Sequence, residues 1–104
     1  MRKVSFDDLI VNLPRTYKWE VVLIDALVNL SEKTDLQGIM SFVFSMEEAF
    51  KKKKAPDLSR LSLKEASYVT AIFQTKEADF REQLSDFIKR VKSILIQCVL
   101  SGMV

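Results

Sequence analysis

Residues 80–98 read FREQLSDFIKRVKSILIQC, and this stretch decides the fold class. Its apolar positions recur at alternating steps of four and three residues, and they are Phe80, Leu84, Phe87, Val91, Ile94 and Cys98. A helix with that spacing carries one continuous apolar seam, as helices in bundles and coiled coils do. Acidic residues come early in the stretch and basic residues come late, which is the order that the helix dipole favours. The pattern predicts a long amphipathic helix over residues 80–104.

The composition of the whole chain agrees with an all-α protein. Only two Gly and two Pro occur among 104 residues, whereas strand-rich folds need many tight turns that draw on these residues. A chain of this length forms one domain, and 48% hydrophobic with 29% charged residues is ordinary globular usage. We therefore predict a single helical domain over residues 1–104, a compact bundle of four to five helices with a long amphipathic C-terminal helix. Residues 51–61 would form a basic linker between two of these helices.

Two helices are predicted in the first third of the chain. Ser5 can cap a short helix, which Pro14 ends because the residue before a proline avoids the helical region. Thr16 is the next candidate cap. The run VVLIDALVNL at residues 21–30 is apolar nearly all round, which favours a buried helix, with a buried strand at VVLI as the alternative.

Local signals also place the boundaries of the middle helices. Thr34 or Asp35 can cap a third helix, where Gly38 either weakens the first turn or permits a close helix crossing. The tetrapeptide SLKE at residues 62–65 matches a capping box. Thr75 either caps a new helix or lies in a polar turn of a continuous one, and we favour a break in the helix there.

A run of four lysines lies within FKKKKAPDLSR, residues 50–60. Glu47 and Glu48 precede Lys51 and Lys52 by four residues each, which is the favourable direction for ion pairs on a helix. Lysines in a last turn also face unsatisfied carbonyls. The simplest interpretation is therefore a solvated helix end followed by a linker.

The same lysines allow a functional interpretation. Adjacent ammonium groups attract phosphates, anionic lipid or a nuclear import receptor. With 16 basic and 14 acidic side chains the net charge is only +2, which is less than a dedicated nucleic-acid domain usually carries. If nucleic acid is the ligand, the predicted phosphate-binding residues are Lys51, Lys52, Lys53, Lys54, Lys89, Arg90 and Lys92.

Enzyme chemistry has little support in the sequence. The chain has no histidine, the commonest general base and transition-metal ligand. The single cysteine, Cys98, fits a small buried hydrophobe, and Asp25 within the apolar second helix fits a structural role at the surface or in an ion pair. We predict neither a catalytic residue nor a cofactor or metal site.

The N-terminus and the charge distribution bear on localisation. Asp7 and Asp8 interrupt the N-terminus before any signal-peptide apolar run. No uncharged run approaches the roughly 20 residues of a membrane span. The prediction is a cytoplasmic protein without a signal peptide.

The C-terminal segment SILIQCVLSGMV, residues 93–104, suggests an interface. Eight of these twelve residues are apolar, so a helix here needs cover on more than one face. Either helices two and three enclose it, or it pairs with a second copy of the chain. Trp19 and Phe42 are weaker interface candidates that fit the core equally well. The predicted dimer or partner interface consists of Phe87, Val91, Ile94, Leu95, Cys98 and Val99.

The leading functional prediction follows from that surface. It is a small non-enzymatic interaction protein (adaptor, inhibitor or regulator) that docks an apolar helical surface on a protein partner, as a homodimer. The alternative is a helical nucleic-acid-binding protein that contacts the phosphate backbone through the two basic clusters.

Overall fold

Five α-helices account for most of the structure, a computed structural model that describes residues 6–52 and 56–102. In chain order they are α1 (Phe6–Ile10), α2 (Lys18–Lys33), α3 (Leu36–Lys52), α4 (Leu63–Gln74) and α5 (Ala78–Gly102). The predicted all-α bundle with a long C-terminal helix is confirmed. The VVLI segment lies inside α2, so the strand alternative is wrong.

Side-chain caps set the starts of α3 and α4 as the sequence predicts. The carboxylate of Asp35 accepts a hydrogen bond from the Gly38 amide at 3.0 Å. At α4, Ser62 Oγ accepts from the Glu65 amide at 3.2 Å, and Glu65 Oε1 accepts from the Ser62 amide at 3.3 Å. This reciprocal pair is the predicted capping box, and it satisfies two amides that the helix itself leaves without partners.

Two predicted caps are shifted in the structure. Helix α2 begins one residue later than a Thr16 cap requires, with Tyr17 at the cap position and its amide donating to Glu20 Oε1 at 3.0 Å. The predicted break near Thr75 is confirmed, but Thr75 lies at the C-terminal end of α4 rather than capping the next helix. The cap predicted at Ser5 lies outside the described residues.

The structure gives a local explanation for glycine at position 38, and this explanation is not a close helix crossing. A Cβ at this position would overlap Thr34 Oγ1 and crowd the Arg60 guanidinium. Arg60 donates a hydrogen bond to Thr34 Oγ1 at 3.1 Å. Glycine therefore leaves room for the contact that fastens the segment before α4 to the start of α3.

The apolar seam of residues 80–98 lies in or against the core. α5 lies mainly against α3 and α1, and Trp19 of α2 meets the rings of Phe80 and Phe87 edge-on at 5.2 and 5.6 Å. Helices α3 and α5 run antiparallel, since Arg81 in the first turn of α5 donates to the Phe50 carbonyl near the end of α3 at 2.8 Å. None of the described helices combines the length and apolar character needed to cross a membrane. The buried residues of α5 are Leu84, Phe87, Ile88, Val91, Leu95 and Cys98.

Candidate functional site: an apolar groove between two helices

The structure places most of the predicted interface of α5 inside the chain's own core. The side chains with at most 6% exposure in this set are Phe87, Val91, Leu95 and Cys98. Ile94 and Val99 are half-buried. The predicted location therefore needs correction for Phe87, Val91 and Cys98, because these side chains already pack against other helices of the same chain. Leu95 is buried as well, but together with Val99 it borders an apolar groove between α3 and α5.

A different set of apolar side chains on α5 faces water. Ile96 is 57% exposed and Leu100 is 58% exposed, and they lie one helical turn apart. Across from them on α3, Phe44 is 49% exposed. Met40, Leu95 and Val99 complete a continuous apolar groove of about 190 Å³ between the two helices. We call this surface the α3–α5 groove.

Helical periodicity explains why the groove forms on α3. Ile39, Val43 and Met46 are buried in the core, and an α-helix advances about 100° per residue. Met40 therefore lies beside the buried face, about 60° around α3 from Val43, and Phe44 lies about 100° from Val43. Both side chains line the groove against α5, and about half of Phe44 stays in water.

Of the two interpretations left open for Phe42, interface or core, the structure supports the core. Phe42 is only 4% exposed and belongs to the core, whereas Phe44, two residues later, is exposed. The segment Ser41–Ser45 reads SFVFS, and three consecutive apolar residues cannot all face inward on a helix. That rule indicates that one of them is exposed, but only the position of α5 shows which.

An ion-pair cluster closes one end of the α3–α5 groove. Lys92, which lines the groove, donates to Glu47 Oε2 at 2.6 Å, and Lys51 lies 3.9 Å from Glu47 Oε1. The hydrogen bond from Lys92 holds the pKa of the Glu47 carboxyl below its usual value of 4.5. On the adjoining turn Lys52 pairs with Glu48 at 2.6 Å. Both ion pairs predicted within α3 are thus confirmed.

The two basic clusters proposed for phosphate binding partly converge. Lys51 and Lys92 share the Glu47 carboxylate, and exposed Lys89 lies on the same side of α5 as Ile96, two turns earlier. Arg90 does not join them, because it lines a cleft on the other side of α5 with Trp19 and Asp86. Of the three other members of the set, Lys52 pairs with Glu48, and Lys53 and Lys54 lie outside the described residues.

Two other concave regions differ from the α3–α5 groove. In one of them a lining side chain already makes a structural contact, and the other is more polar than the groove. One cavity, of about 660 Å³, is lined by Phe73, Gln74, Lys76 and Arg81. The Arg81 guanidinium is already engaged, since it bonds the Phe50 carbonyl and lies 4.4 Å from the centre of the Phe50 ring. A cleft of about 240 Å³ beside Trp19 is walled largely by polar and charged side chains.

The residues that sequence analysis considered for catalysis or metal binding have structural surroundings. Burial raises the pKa of the Cys98 thiol, and Asp25 faces solvent. Within residues 6–52 and 56–102, no three His, Cys, Asp or Glu side chains are grouped so that they could hold a metal ion. Comparison of the chain with protein-family models, curated proteins and solved structures finds no match.

Proposed function

We propose that this protein is a small non-enzymatic interaction protein, an adaptor, inhibitor or regulator, whose α3–α5 groove binds an amphipathic helix of a protein partner. The observation that carries the proposal is the contiguity of Phe44, Ile96 and Leu100, each about half exposed and lining one apolar groove. Single exposed apolar residues are normal on protein surfaces, whereas contiguous patches mark interaction sites.

The dimensions of the groove favour side chains over a small molecule. Its volume of about 190 Å³ is below the roughly 300–1,000 Å³ of typical small-molecule pockets. A furrow between two helices matches the recognition mode in which an amphipathic helix inserts apolar residues at positions i, i+3 or i+4, and i+7. The proposed occupant is therefore a helix with such an apolar face.

The exposed area favours a partner helix over a stable homodimer. Three half-exposed side chains of this size leave on the order of 300 Å² of apolar surface in water. A stable interface usually buries about 800 Å² on each partner. The seam that suggested self-pairing is buried in the core, so a second copy of the chain becomes one outcome of the test rather than the proposed occupant.

A selection experiment with matched variants tests the proposal. A displayed library of amphipathic helices of about 18 residues, long enough to be helical, is selected on the wild-type protein, on Phe44→Glu and on Ile96→Glu. Tyr68→Glu is the control, because Tyr68 has the same 49% exposure as Phe44 but lies on α4. Circular dichroism establishes that all variants are folded.

We expect helices that enrich on the wild type and on Tyr68→Glu and lose binding at least tenfold on the two groove variants. Enrichment that is equal on all four proteins, or absent on all, contradicts the proposal. Sedimentation of the wild type at micromolar concentration should show a monomer. A dimer that Ile96→Glu converts to monomer would instead assign the groove to a second copy of the chain.

Nucleic-acid binding is the second candidate function, and one observation favours it. Lys51 and Lys92 meet at one carboxylate, with Lys89 on the same side of α5. Glu47 and Glu48 offset part of that positive charge. Binding of labelled RNA and DNA at low salt tests this candidate, since each neutralised phosphate adds about 0.7 to 0.9 to the slope of log affinity against log salt. A slope near zero, or no binding, removes it.

A further inference from the structure

We infer that the helix recognised by the α3–α5 groove is acidic at one end, where its carboxylates meet a cluster of three lysines. The inference rests on the proposed function and specifies the chemistry of the partner. It is carried by charge complementarity, because the groove is apolar at Phe44, Ile96 and Leu100 and basic where Lys92 closes it.

The basic end is formed by residues of both helices. Along α3 the groove-side positions are Met40, Phe44, Glu47 and Lys51, at steps of four, three and four residues. The first two are apolar and the next two are charged, so the groove wall changes from apolar to charged within one helical turn. On α5 the same change occurs between Ile96 and Lys92.

The net charge at this end is positive. Lys51, Lys89 and Lys92 contribute three positive charges and Glu47 contributes one negative charge, which leaves +2. Lys51 retains 72% exposure of its side chain despite its contact with Glu47, and among the described residues Lys89 makes no ion pair. Two ammonium groups are therefore accessible to a ligand carboxylate beside the apolar groove.

The positive region is short. Two turns nearer the start of α5, the stripe that carries Lys89 reaches exposed Glu82. The neighbouring Glu48–Lys52 pair on α3 is electrically balanced. A complementary helix therefore carries two turns of apolar residues over Phe44, Ile96 and Leu100, with its carboxylates confined to the adjoining turn.

The composition of the selected helices gives the first test. Helices enriched on the wild-type protein should carry Asp or Glu in the turn next to the apolar face more often than the unselected library. A helix with this pattern should bind more weakly when the carboxylates are changed to Gln, by about two- to fivefold for each exposed pair.

Matched substitutions on the protein give the second test. Lys89→Gln and Lys51→Gln should each weaken binding of a selected acidic helix about two- to fivefold at low ionic strength, and the effect should shrink at high salt. Arg90→Gln is the control, because Arg90 is also an exposed cation but lies about 100° further around α5. It should leave the affinity unchanged.

The outcomes separate this inference from the proposed function. If helices enrich in a groove-dependent way but show no acidic bias, or if Arg90→Gln matters as much as Lys89→Gln, the charge inference is overturned and the groove remains a binding site. If no helix binds the wild type better than Ile96→Glu, both proposals fail.

Discussion

Near its C-terminal end α5 carries large apolar side chains on both its inner and its outer face, but the two faces have different surroundings. Leu95 is 3% exposed in the core, whereas its neighbour Ile96 is 57% exposed in the α3–α5 groove. Both residues are large aliphatic side chains on the same helical turn. Hydrophobicity alone therefore does not distinguish a residue that holds the fold together from one available to a partner, and the difference arises from where α1, α2 and α3 lie around α5.

The largest expected effect is the loss of protein stability when a side chain on the inner face is truncated. Leu95→Ala should lower the free energy of unfolding by about 2–5 kcal/mol, because it removes buried methyl groups and leaves a cavity among packed helices. Urea denaturation followed by circular dichroism measures the change. A loss below about 1 kcal/mol would show that the inner face is less tightly packed than the structure indicates.

Cys98 offers a second measurement on the inner face. The thiol is 6% exposed, and only a thiolate that reaches solvent reacts with a thiol reagent, so labelling of the native protein should be slow. Leu95→Ala should speed the reaction about 30-fold or more if labelling follows the loss of stability, since each 1.4 kcal/mol corresponds to a factor of ten. Ile96→Ala should change the rate little. Fast labelling of the wild type would contradict burial of this face.

A smaller effect on stability is expected from the Glu47–Lys92 ion pair, which lies where the two faces meet. The pKa of Glu47 is lowered in the fold, so its stabilisation is present above the unfolded value near 4.5 and is lost as the pH falls through the lower folded value. Between about pH 6 and pH 3 the wild type should lose up to about 1 kcal/mol more stability than Glu47→Gln, since the pair is partly exposed. Equal losses in the two proteins would mean that the ion pair does not stabilise the fold.

The smallest effect on stability belongs to the outer face. Ile96→Ala should change the free energy of unfolding by less than about 1 kcal/mol, because more than half of the side chain is already in water and alanine is the better helix former. The same urea experiment used for Leu95→Ala measures it. A loss comparable to that of Leu95→Ala would remove the distinction between the faces.

Much of the fold could be predicted because its signals are local. The capping box at Ser62 and Glu65 and the ion pair between Glu48 and Lys52 each join residues no more than four positions apart. The seam over residues 80–98 likewise depends only on helical spacing. These signals fix where helices begin and which side chains can share a face.

The location of the candidate site could not be predicted in the same way. Apolar residues occur on both faces of α5 near its end, and the sequence alone does not show which face the other helices cover. The prediction accordingly placed Phe87 and Val91 in an interface, although they lie in the core. Glu47 and Lys92 are 45 positions apart, so their contact, which closes one end of the groove, has no local signal.

The most direct test of the central claim is the pattern of amide NMR shifts when a selected amphipathic helix is added to the wild-type protein. The account predicts that the largest changes lie around Phe44, Ile96 and Leu100, with weaker changes near Lys89 and Lys92. Helix α4 and the cleft beside Trp19 should change little. Changes centred on either of those two regions would show that the α3–α5 groove is not the binding site.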